Sequence, residues 1–167
     1  MIHDQMADYY DFLSLRGYKR AHEYHYQKEN CMYRKLHRYY LNHYNKLIME
    51  EQIDNPHVIP ESWYKYMRQE VDVNTKRNSV KLGIDKWIEW ETDTKEELSN
   101  AYNNLISMGE IAGALFVSDL LKEVDCELKY AHRKQLELNA VDYNIEYILQ
   151  EQKRIHDKYK RKLIEIK

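Results

Sequence analysis

The sequence predicts an all-α fold built from a few long helices. Four glycines and two prolines in 167 residues leave few places to turn a chain. Apolar positions recur at spacings of three and four, which gather on one helix face. No stretch shows the period-two alternation of a half-buried strand. A chain of this length reads as one domain over 1–167 with room for a core.

The elements follow in order. The first helix runs from about Asp4 to Leu15, and Gly17 interrupts or kinks the chain after it. A long helix follows from about Tyr18 to Glu51. Asn55-Pro56 and Ile59-Pro60 end it, because proline disfavours helix at the residue before it. Glu61 to Gln69 reads as a short helix opened by Pro60. Asp72 to Ser79 (DVNTKRNS) is polar and reads as a loop with a cap at its end. A helix from about Val80 to Ser107 comes next, loosened early by Gly83. Met108-Gly109 makes the following turn, with Gly109 suited to a left-handed cap, and another helix starts near Glu110. Beyond Gly113 there is no glycine or proline. The seam Val141, Ile145, Ile148, Gln152, Ile155, Tyr159, Leu163, Ile166 continues to the end. Asn139 is the one candidate break, so the chain ends in a very long helix or bends near Asn139, with 139–167 as an extended C-terminal helix.

Composition excludes several classes of function. Charged residues make up 32% with mixed signs and a net charge of −2, so no global field recruits nucleic acid or an acidic membrane. No apolar run approaches the ~20 residues a membrane span needs. The opening MIHDQMADYY lacks a basic flank and apolar core, and is not read as a signal peptide. Cys31 and Cys126 make no disulfide framework, which favours a cytoplasmic protein with reduced thiols; Cys31 is read as a small buried filler. There is no phosphate-binding glycine loop. Lys153, Arg154, Lys158, Lys160, Arg161 and Lys162 form a basic stretch, and the intervening Glu151, Asp157 and Glu165 make it a solvated helix face rather than a nucleic-acid surface. Sixteen tyrosines stand against two phenylalanines. Their rings suit half-buried helix packing, or a protein–protein surface. Trp63, Trp87 and Trp90 are read as anchoring the short helix on the helix that follows.

Three glutamates break the apolar seams. Glu91 lies in the stripe Trp87, Glu91, Thr94, Leu98, Ala101, Leu105. Glu29 lies in Tyr18, His22, His25, Glu29, Met32, Leu36, and Glu127 in Val117, Leu120, Val124, Glu127, Ala131. A buried carboxylate costs several kcal/mol unless it is paired or holds a metal. Inward-facing carboxylates from several helices are how bundles build metal sites. His25 lies one turn before Glu29 on the same face, a credible helix-borne ligand pair. His25, Glu29, Glu91 and Glu127 are therefore the candidate metal ligands. The alternative is a buried polar network of these glutamates with His22, His25 and tyrosine hydroxyls.

The run Gly17-Tyr18-Lys19-Arg20-Ala21-His22-Glu23-Tyr24, followed by Gln27-Lys28-Glu29, resembles the second helix of ferritin-like proteins. There a glycine-aromatic start precedes a Glu-x-x-His metal motif by about twelve residues. The interval from Glu91 to Val124 is similar to that family's gap between its third-helix glutamate and fourth-helix glutamine, and Glu127 matches an additional acidic ligand of bacterial members. The resemblance covers roughly 8–50 and 84–138. It implies an antiparallel four-helix bundle, iron as the metal, and oxidation of iron(II) at a carboxylate site. The motif also departs from the family. Met32 replaces its histidine, Val124 its glutamine, and no first-helix glutamate is found. A thioether is a poor ligand for iron–oxygen chemistry.

Two functions follow as expectations. One is a non-enzymatic ferritin-like bundle with a degraded metal site, acting through self-assembly or a protein partner. The other is an iron-binding or storage protein. The C-terminal seam is also a candidate oligomerisation element: its apolar positions Ile148, Ile155, Tyr159, Leu163 and Ile166 need a cover, which predicts a dimer joined there. No membrane or nucleic-acid partner is expected.

Overall fold

A computed structural model describes residues 2–44 and 73–166 of the chain. Among these it is all-α: α1 (Ile2–Phe12), α2 (Arg16–Tyr44), α3 (Val73–Ser107), α4 (Ile111–Ala140) and α5 (Ile145–Ile166). The expected short helix at Glu61–Gln69, the end of the long helix near Glu51 and the place of Trp63 lie outside the described residues. No helix among the described residues is long and apolar enough to cross a membrane.

Side-chain pairs fix the helix directions. Tyr10 stacks on Tyr18 and His3 meets His22, so α1 folds back antiparallel on α2. The Tyr9 hydroxyl donates to the Ser79 carbonyl (2.8 Å) while His3 meets Trp87, so α1 is also antiparallel to α3. α2 and α3 therefore run the same way. Gln135 reaches Asp85 and Lys95 reaches Asp125, an antiparallel α3–α4 pair. Gly17 meets Gln152 and Tyr24 meets Tyr159, so α2 and α5 are parallel. The core fills the space between these helices with Met6, Tyr10, Leu13, Ile84, Leu138 and Ile148, each 0–1% exposed. Burying such a side chain contributes about 1.5–3 kcal/mol.

Several sequence expectations change. Of the expected loop Asp72–Ser79, Val73–Ser79 are helical, because α3 begins at Val73; Asp72 lies outside the described residues. The polar residues there form its first turns, and Ser79 is already buried. Gly17 is not the break after the first helix. That break is Leu13–Leu15, with Ser14 in the left-handed region (φ 57°). Gly17 is instead the point of closest approach between α2 and α5: its N–H donates to Gln152 Oε1 at 3.0 Å, and a Cβ there would stand 1.8 Å from the Gln152 carbonyl oxygen. Gly109 does adopt the left-handed conformation expected of it (φ 76°) and closes the α3–α4 turn.

The chain bends after α4, but Asn139 is not the cap of the next helix. Asp142 and Tyr143 turn through the left-handed region (φ 48° and 50°). Asn144 then caps α5, its Oδ1 accepting the N–H groups of Glu146 (3.0 Å) and Tyr147 (3.1 Å). The Tyr143 ring is buried, and this holds a backbone conformation that costs a non-glycine residue energy. The apolar seam of α5 already has its cover. Ile148, Ile155, Tyr159 and Leu163 are all buried within the chain, α2 lying along them. Ile166, the last position of that seam, has no described side chain. Cys31 is exposed, not a buried filler.

Candidate metal centre

The helical period places each inward-facing polar group. On α2, His22, His25 and Glu29 follow at spacings of three and four. On α3, Glu91 is one turn after Trp87. On α4, Glu127 is one turn after Glu123. Because α2 and α3 run together and α4 runs against them, these positions meet at one level of the bundle. All four predicted residues, His25, Glu29, Glu91 and Glu127, come together there.

The sequence reading missed His3. It enters from α1 and stands at the centre. Its Nε2 lies 2.7 Å from Glu127 Oε2, 3.3 Å from Glu91 Oε1 and 3.9 Å from Glu29 Oε1. Potential ligand atoms of His3, Glu29, Glu91 and Glu127 all lie within 4.8 Å of one another; a second set, His3, His25 and Glu127, meets the same limit. The signal was present: His3 is in register with Met6, Tyr10 and Leu13, all buried on one face of α1.

The hydrogen bonds link the two sets through Glu127. Its Oε2 accepts from His3 and its Oε1 lies 2.5 Å from His25 Nδ1. His3 Nδ1 lies 2.8 Å from His22 Nδ1. Trp87 Nε1 donates to Glu91 Oε1 at 3.3 Å, whereas the buried Glu91 Oε2 has no hydrogen-bond partner among the described residues. Lys28 binds Glu123 at the rim (2.5 Å), but no lysine or arginine among the described residues lies within ion-pair distance of Glu29, Glu91 or Glu127.

These surroundings shift the protonation equilibria. Burial pulls the His3 pKa down, but the charge and hydrogen bond of Glu127, with Glu29 and Glu91 behind, outweigh it and hold it at about 9. Burial would raise Glu127; His3 and His25 overcome this and hold it well below the usual carboxylate range. Burial lifts Glu91 to about 8 and Glu29 to about 7, with His3 opposing the rise in both. Burial also keeps His22 far below its ordinary value, reinforced by His3 and His25. Near neutral pH the core thus pairs a protonated His3 with an ionised Glu127, and neutral His22 accepts the second His3 N–H. Buried carboxyls and imidazoles with displaced pKa values occur at functional sites and also in structural polar networks.

No protein-family model matches the chain, and neither a curated protein nor a solved structure matches it.

Proposed function

We propose that this chain is a metal-binding protein with a ferritin-like arrangement of helices, holding a divalent first-row transition-metal ion between α1, α2, α3 and α4. The observation that carries the reading is His3: it brings an imidazole to the buried Glu91 and Glu127 and the half-buried Glu29, none of which has a lysine or arginine partner among the described residues. Bound metal would take the place of the protons that keep His3 cationic and Glu91 neutral, and would hold the ionised carboxylates in a site where they otherwise cost several kcal/mol. Ligand atoms on opposite sides of one ion, at bond lengths of about 2.0–2.2 Å, stand about 4 Å apart, so a set within 4.8 Å needs little contraction. Mixed imidazole and carboxylate ligands suit iron, manganese or zinc better than calcium or magnesium, which take oxygen ligands. In the ferritin-like comparison, His3 takes the part of the absent first-helix glutamate, and α1–α2 and α3–α4 form the two helix pairs. Iron is the metal that comparison suggests.

The test is metal content and affinity. Full-length protein is stripped and titrated with zinc(II), manganese(II) and, without oxygen, iron(II), beside Glu127→Gln. Saturable binding of at least one ion that the variant loses is the expected result. No saturable binding, or binding indifferent to Glu127, defeats the reading and leaves the polar network in its place.

A second reading, self-assembly or a protein partner, rests on the α3–α4 turn rather than on α5. Ile106, Met108, Ile111 and Leu115 are exposed there, from 42% to 73%, and clustered exposed apolar groups mark interaction surfaces. Light scattering on the full-length protein and on Met108→Ser/Leu115→Ser tests it. A monomer unaffected by the change counts against self-assembly.

A further inference from the structure

Away from the His3 cluster, α4 and α5 enclose a groove of about 190 Å³ lined by Tyr130, Arg133, Lys134, Glu137, Arg154 and Lys158. Three cations gather around one ring: Arg133, Lys134 and Lys158 lie 5.4, 5.8 and 6.0 Å from the centre of Tyr130. The nearby carboxylates are already engaged. Glu137 accepts from Lys134 (2.6 Å) with Arg133 at 3.7 Å. Glu151, buried behind the groove, accepts from Lys134 and from the Tyr18 hydroxyl (2.6 Å), with Arg154 at 3.8 Å. Four cations thus face two carboxylates. Lys158 is left over: its contacts are the rings of Tyr130 and Tyr159, and no carboxylate among the described residues lies within ion-pair distance. Burial and the charges of Lys162, Arg133, Lys134 and Arg154 together push the Lys158 ammonium below its ordinary pKa. A like-charge cluster of this kind is relieved by an anion.

We propose that the α4–α5 groove is an oxyanion site that takes a small phosphate-bearing molecule through Arg133, Arg154 and Lys158. Lys134 is the fixed member, 4% exposed and held by two glutamates. Arg133 and Arg154 keep 66% and 77% of their side chains in solvent and hold their glutamates only at 3.7 and 3.8 Å, so their guanidinium groups have donors left to turn to a ligand. Guanidinium forks match phosphate oxygens in pairs, and Lys158 adds a point charge. The size of the groove and the carboxylate of Glu137 on its wall favour one or two phosphate groups over a polyanionic strand, which needs a continuous basic track. The inference is independent of the metal reading.

Calorimetric titration of metal-free full-length protein with inorganic pyrophosphate tests it. Saturable binding is expected, weakened at least about tenfold in Arg154→Ala/Lys158→Ala. Glu127→Gln should leave it unchanged. Lys160→Ala/Arg161→Ala, two basic residues outside the groove, controls for charge alone. No saturable binding, or an equal loss in the control variant, overturns the proposal. So does binding to phosphatidic acid vesicles without binding to free pyrophosphate.

Discussion

His3 Nε2 and Glu127 Oε2 meet at 2.7 Å across 124 positions of sequence. This contact ties the first helix to the fourth and places an imidazole lone pair among three carboxylates. A proton and a metal ion compete for that lone pair, so protonation, metal affinity and stability are coupled here.

Replacing His3 should therefore affect more than one observable. His3→Ala is expected to weaken zinc(II) or manganese(II) binding at least about tenfold. It should also destabilise the metal-free protein, because Glu127 loses its cationic partner while staying buried. Competition titration and thermal melting check the two arms. Unchanged metal affinity would remove His3 from the ligand set.

The metal-free protein should lose stability as pH rises from about 6 to 9. A histidine raised in the folded state contributes fully below its unfolded pKa near 6.5, and this is lost as pH passes the folded value of about 9. Glu91 and Glu29, raised to about 8 and about 7, act in the same direction, since ionising them in the core is disfavoured. Glu127 and His22, both held low, act oppositely: the Glu127 contribution is lost only in acid, and neutral His22 costs stability only below its unfolded pKa near 6.5, so neither reverses the fall above pH 7. The midpoint should fall by several degrees, given that ~1 kcal/mol shifts a chain of this size by about 2–4 °C. Saturating metal should flatten the profile. A metal-free melting temperature that climbs between pH 6 and 9 would contradict the charge assignment.

Glu91→Gln separates metal binding from folding. Glu91 is largely protonated at neutral pH, so the amide should change metal-free stability little at pH 7 and raise it at pH 9, where wild type carries a buried charge whose His3 partner is losing its own. Metal affinity should fall, because a neutral amide is a weaker ligand. A large loss of stability at both pH values would mean that the ionised carboxylate holds the fold together.

Aerobic iron(II) should be oxidised little faster than in buffer. His3, Glu29, Glu91 and Glu127 surround one position, while beyond His25 the neighbouring Glu123 is already bound to Lys28. That leaves a poor ligand set for a second iron. Stopped-flow absorbance would show it. Rapid oxidation abolished by Glu91→Ala would reveal a working two-iron centre.

Gly17→Ala tests the α2–α5 contact. With a carbonyl oxygen 1.8 Å from the new Cβ, the helices must separate. Overpacking of this kind costs about 1–3 kcal/mol or more. Chemical denaturation should show the loss; an unchanged midpoint would mean that the two helices are not so closely apposed.

The long helices and the inward faces of Glu91 and Glu127 were legible because a 3.6-residue period writes itself over many turns. His3 was harder to see: its seam on α1 has only Met6, Tyr10 and Leu13 to announce it, and its partners are remote in sequence. Asn139 and Asn144 are equally good caps by residue type. What separates them is the left-handed turn at Asp142 and Tyr143, fixed by burial of the Tyr143 ring. Polarity misled at Val73–Ser79, since the polar first turns of a helix and a loop share composition. The cover of the α5 seam depended on which helix lies beside it, and residue spacing along α5 carries no such information.

The junction between α1 and α2 has a consequence of its own. α1 is joined to α2 through the turn Leu13–Leu15 and packs against α2 and α3, so its seating is a local equilibrium of its own. If His3 is a ligand, metal occupancy and seating of this helix are reciprocal: each strengthens the other by the same factor. Amide exchange along α1 then becomes a gauge of the metal, slowing as the ion binds, while exchange in α5 stays as it was.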